Sequence, residues 1–153
     1  SPIITYVWIR IAILDLILTW CFYARIFSFL GFTVICDRYL LDSKLDLQNN
    51  FPHADFETYL LWKLLTYLLP HPNISFCLTI PVDLALQRSL LKKEPFPDSY
   101  QVLQWRLDSY QSPSAFPPKV YPNHHSLDCS QPLDIVSSLL IDTIKLSNQR
   151  NEA

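Results

Sequence analysis

At 153 residues, half of them hydrophobic and only 17% charged, the chain has the length and composition of one globular domain rather than of a disordered segment. A net charge of −2 and the absence of any long basic run exclude an electrostatic nucleic-acid surface. The four cysteines, Cys21, Cys36, Cys77 and Cys129, stand far apart with no C-x-x-C pair. That spacing excludes a zinc ribbon or a disulfide frame and reads as reduced core thiols in a cytoplasmic protein.

Residues 3–30 form an apolar run without internal Gly or Pro, which predicts a helix. Arg10, Asp15 and Arg25 cut the run into pieces shorter than the ~18 residues that a membrane span needs, so a buried core helix is expected and a membrane helix is the rival reading. No basic leader or small-residue cleavage site marks it as a signal peptide. Gly31, the sole glycine, ends the run. Phe32–Cys36, rich in β-branched residues, then reads as a fully buried strand. Asp37, Arg38 and Tyr39 follow it. A carboxylate at a strand end can orient a hydroxyl or a metal-bound water, and a guanidinium there can clamp a phosphate through two parallel hydrogen bonds. A structural ion pair is the plain alternative.

Residues 40–53 are polar and read as a loop with at most a helical turn, in which Asp42, Ser43, Asp46 and Gln48 either line a nucleoside pocket or are simply solvated. Asp55 is expected to cap a helix running to Leu69 and stopped by Pro70, with Phe56, Tyr59, Leu60, Trp62, Leu64 and Leu68 on its core side. Ile74–Ile80 reads as a second buried strand. The helix opened by Asp83 turns Leu84, Leu86 and Leu90 inward and carries Arg88, Lys92 and Lys93; Arg88 and Lys92 share a face. That face suits the neutralisation of a moving phosphate, or is an ordinary solvated one. Glu94–Asp98 breaks the helix, and Ser99 caps the next, which bears Trp105, Arg106 and Tyr110. Residues 111–125 form a Pro- and Ser-rich loop. His124-His125 lacks further ligands at metal spacing, so no metal site is expected. Ser126–Asp128 reads as a third strand, and Pro132 opens a closing helix to about Leu146. The alternation predicts parallel α/β architecture.

Four stretches in this order, VICDRYLLDS, ISFCLTIP, VDLALQRSLLKKEPFPDS and SLDCSQPLDIV, carry a resemblance to the thymidylate kinase family and its thymidylate kinase-like relatives, over nearly the whole chain. The resemblance implies a three-layer parallel sheet of P-loop kinase type. It also implies transfer of the ATP γ-phosphate to a nucleoside monophosphate. Asp37 would orient the acceptor or the magnesium shell, Arg38 would hold the acceptor phosphate, and Arg88 and Lys92 would stabilise the moving phosphoryl group. Tyr39, Asp42, Ser43 and Asp15 would face the substrate, with Lys93 and Arg106 in the lid. ATP and Mg2+ are the implied cofactors. The implied partner is the nucleotide substrate, without nucleic acid or membrane, and a homodimer is an open option.

Two features depart from the family. Where it carries an Asp followed by Arg, this chain has Asp15 followed by Leu16. A phosphate loop of G-x-x-x-x-G-K-[ST] form needs two glycines, and the chain has one. With no methionine and a start at Ser1, the sequence reads as the C-terminal portion, residues 1–153, of a single domain whose first strands and phosphate loop are missing. Such a portion is expected to lack kinase activity and to fold poorly alone. The alternative is a degenerate, non-catalytic binding or scaffold module.

Overall fold

The computed structural model describes residues 2–92 and 98–151, and the chain divides into two compact units, Ser1–Pro70 and His71–Ala153. The first unit is helical throughout. Helix α1 (Pro2–Leu16) passes without a break into a π-helical segment (Ile17–Tyr23) and then α2 (Ala24–Phe29). The Ala24 amide reaches back five residues to the Thr19 carbonyl, so the turn is wide and carries about one extra residue. The run ends at Gly31, φ 87°. There the Gly31 amide bonds the Ser28 carbonyl and the Phe32 amide bonds the Phe27 carbonyl, both at 3.0 Å, while the Phe27 and Phe32 rings meet edge-on at 5.9 Å. These are the paired bonds and apolar contact of a Schellman stop, which needs a left-handed residue at its centre.

Helix α3 (Leu40–Asn50), a 3-10 turn (Phe56–Thr58) and α4 (Leu60–Leu68) complete the unit. Its core joins Ile9, Ile13, Ile17, Trp20 and Cys21 of the long helix to Leu45, Leu47, Phe56, Trp62, Leu65 and Leu69. Ile9, Ile13 and Ile17 recur every four residues and so form one stripe. Arg25 donates to the Leu68 carbonyl at 2.6 Å, satisfying an acceptor that the end of α4 leaves open.

The second unit is built on a pair of parallel strands, β1 (Ser75–Thr79) and β2 (His124–Asp128), in register from Ser75 opposite His124 to Thr79 opposite Asp128. Helices α5 (Val82–Lys92) and α6 (Tyr100–Gln111) pack together in the crossover, and α7 (Leu133–Asn151) follows β2. The Ser99 hydroxyl accepts the Val102 amide at 3.3 Å, the expected cap of α6.

Several expectations are overturned. The chain does not form a three-layer parallel sheet of P-loop type: it is mostly helical, and among the described residues the one sheet has two strands. Phe32–Cys36 is not a buried strand. It joins no ladder, and Phe32 and Ile35 are 62% and 89% exposed. Apolar, β-branched composition favours a pleat only where a neighbouring backbone supplies hydrogen bonds. Cys36 accordingly lies exposed instead of in a core. Residues 40–50 are helical rather than loop, because Leu45 and Leu47 bury while the polar residues around them stay half-buried or exposed. Leu60 is 80% exposed, and Leu65 takes the core position beside Trp62. Leu90 is exposed rather than inward. Asp55 caps no helix with its side chain. The long apolar helix buries only its one stripe and leaves its other faces open.

Candidate functional site

The residues singled out from the sequence fall into two groups, one in each unit. In the first, the chain leaves the exposed run Phe32–Cys36 through Asp37 and Arg38 and enters α3 at Tyr39. Arg38 is the one non-glycine residue at positive φ among the described residues, at 72°. A side chain there costs on the order of 1 kcal/mol, and such positions mark functional sites more often than chance. The twist lets Tyr39, back in extended geometry, start the helix.

The guanidinium of Arg38 is two-thirds exposed and donates from Nη1 to Asp46 Oδ2 at 3.1 Å. It turns to Asp46, two helical turns along α3, and not to its neighbour Asp37, whose carboxylate stands exposed. Asp42 accepts the Tyr39 amide at 3.2 Å, the reciprocal half of a capping box. Tyr39 packs against Trp20 with ring centres 4.9 Å apart and donates its hydroxyl to the Pro70 carbonyl. The Ser43 amide bonds the Tyr39 carbonyl at 3.1 Å in the first turn of α3. Asp42 and Tyr39 therefore hold the start of α3 in place. Asp15 is exposed on α1 with no hydrogen bond or ion pair to Asp37 or Arg38. An open cavity of about 320 Å3 lies at the far end of α3, lined by Gln48, His53, Asp55 and Glu57 among others; it does not include Asp37 or Arg38.

In the second unit, Arg88 donates to the Cys129 carbonyl at 3.1 Å, which sets the guanidinium just past the carboxyl end of β2. Lys92, one turn further along α5, is exposed. Arg106 is paired with Asp98 at 3.3 Å and is largely covered, so its charge is already countered. Lys93 lies outside the described residues, as does most of the expected lid. Asp128 closes β2 and accepts both the amide and the hydroxyl of Ser130 at 2.8 Å. Those bonds hold its carboxyl below the usual range. The Asp-x-Ser spacing was the available signal for this turn.

One polar pair had no signal in the sequence. Ser75 Oγ and His124 Nδ1 share a hydrogen bond of 3.0 Å between facing residues of β1 and β2, and Phe116 stacks on the imidazole at 3.7 Å. The partners are 49 positions apart, and nothing local predicts the pairing.

No protein-family model, curated protein or solved structure matches this chain.

Proposed function

We propose that the chain carries phosphate-gripping cations of a thymidylate kinase-like phosphotransferase acting on a nucleoside monophosphate. The observation that carries this reading is Arg38. Its backbone is held at a costly positive φ, its guanidinium is two-thirds exposed, and among the described residues its one ion pair uses a single nitrogen. Among those residues nothing else is bonded to its N–H groups, which can take a phosphate in parallel hydrogen bonds. Asp37, exposed beside it, would accept from the sugar or orient the attacking oxygen.

Phosphoryl transfer asks the protein mainly to position groups and neutralise charge. Arg88 supplies positive charge in the second unit at the carboxyl end of β2, the end where ligands of parallel sheets bind, and Lys92 lies exposed one turn further along α5. ATP supplies the phosphoryl group in such chemistry, and magnesium shields its charge. Gly31, the sole glycine, is used to stop a helix, so these residues form no glycine cradle for the ATP phosphates.

The test is calorimetric titration of the 153-residue protein with a panel of nucleoside monophosphates at low salt, with inorganic phosphate as the minimal probe. Arg38→Gln should weaken monophosphate binding at least about tenfold, as loss of a bidentate charged contact does, whereas Lys145→Gln should not. Absence of binding at millimolar monophosphate, or equal binding by Arg38→Gln, would overturn the reading.

A further inference from the structure

We propose that Arg10, set between Tyr6 and Tyr59, holds a phosphate group at a second oxyanion site, apart from the one at Arg38. The guanidinium lies over the Tyr6 ring, 3.9 Å from its centre, and 5.3 Å from the centre of the Tyr59 ring. The two rings meet edge-on at 5.5 Å. Arg10 Nη2 donates to the Tyr6 hydroxyl, and among the described residues Arg10 makes no other hydrogen bond and no ion pair. Its Nε is covered and has no acceptor. Other arginines of the chain are better provided: Arg38 and Arg106 pair with carboxylates, and Arg25 and Arg88 donate to backbone carbonyls. Arg10 has neither.

A half-buried cation without a counter-ion is costly, because the water it loses is not replaced by an acceptor. The two aromatic rings offset part of that cost. An anion on the outer edge of the guanidinium would offset the rest, and in such partly dry surroundings the attraction is stronger than in water. The Tyr6 hydroxyl, having accepted from Arg10, keeps its own proton to donate. The guanidinium fork takes two acceptor oxygens and the Tyr6 proton a third, which suits a phosphate group better than a carboxylate. Tyr59 also begins α4, a helix with no side-chain cap and no acid in its first turn, so the positive end of that helix adds to the field beside the rings. The place is not that of Arg38. Tyr39, the residue after Arg38, packs on Trp20, which lies ten residues, or roughly 15 Å, beyond Arg10 along the long helix.

The experiment is calorimetric titration of the 153-residue chain with inorganic phosphate at low salt, in an Arg38→Gln background so that this site and the one at Arg38 stand or fall separately. Phosphate binding is expected to persist in that background. Adding Arg10→Met, which keeps the apolar stem and removes the fork, should weaken it at least about tenfold, and Arg10→Lys, which keeps the charge alone, should weaken it less. Flotation on phosphatidylcholine vesicles with and without phosphatidic acid identifies the source of the phosphate. Extra flotation with phosphatidic acid that Arg10→Met abolishes points to a lipid headgroup, and free phosphate binding without it points to a soluble ligand. Far-UV circular dichroism verifies that each variant keeps its helices. No binding at millimolar phosphate together with no extra flotation would overturn the proposal. So would an Arg10→Met variant that melts earlier yet binds phosphate as before, since Arg10 would then be a stacking residue only.

Discussion

Arg38 and Asp46 are joined by one hydrogen-bonded ion pair of 3.1 Å, made by a residue whose own backbone is held at φ 72°. The pair and the strain oppose each other in stability. Arg38→Gly would remove a backbone cost of about 1–2 kcal/mol and lose an exposed ion pair worth about 0–1 kcal/mol. Urea unfolding should therefore find this variant within about 1 kcal/mol of the parent, while the proposed monophosphate binding should be lost. Asp46→Asn removes the competing carboxylate and should tighten phosphate binding severalfold at low salt. Unchanged affinity there would show that the guanidinium does not hold the ligand.

Gly31 gives a cleaner backbone test. A Cβ at this position would meet nothing within 4 Å, yet φ is 87°. Gly31→Ala should destabilise by about 1 kcal/mol through backbone strain alone. A larger loss in urea unfolding would mean that something packs against Gly31 after all.

The core of the first unit should respond to position rather than residue type. Leu65 is fully buried and Leu60 is 80% exposed, five residues apart on the same helix. Leu65→Ala should cost about 2–5 kcal/mol, and Leu60→Ala less than about 0.5 kcal/mol. Similar losses at both sites would mean that α4 is covered on its outer side in solution.

His124 should make the second unit sensitive to mild acid. Burial against Phe116, followed by the neighbouring His125, holds its imidazole below the usual range. The neutral form is thus the one the fold favours. The contribution to stability is complete above the ordinary imidazole range, near pH 6.5, and is lost as pH falls through the lower folded value. Thermal melts should show a declining midpoint below about pH 6.5. In His124→Phe, which keeps a stacking ring, that part of the decline should disappear. Asp128, also held low, should lose its contribution only at more acidic pH.

The helices and the two paired strands were legible where composition and tertiary context agree. Ile74–Ile80 predicts β1 within a residue at each end, and Ser99 is the cap its sequence position suggests. β2 begins two residues earlier than expected, because His124 and His125 are polar by composition but shielded by Phe116 and Phe76. Polar residues hid α3, whose core contribution rests on Leu45 and Leu47 alone. Phe32–Cys36 failed for the opposite reason: its residues suit a strand, but pairing is decided by another stretch of chain. The candidate site was legible as residue types. The partners were not, since the Arg38 guanidinium goes to Asp46 and Asp42 goes to the Tyr39 amide.

The parallel pairing of β1 with β2 has a consequence for biosynthesis. Ser75 and its partner His124 are 49 positions apart, so β1 leaves the ribosome well before β2 exists. At about 5–20 residues per second that interval is several seconds. Throughout it the Ser-Phe-Cys-Leu-Thr segment has both edges open, and bare strand edges of this composition recruit other chains. Closing so long a loop also makes the pairing intrinsically slow. Nascent chains that halt between α6 and β2 should be the ones that holdase chaperones engage, and synonymous codons that slow translation there should lower the soluble yield without altering a single residue.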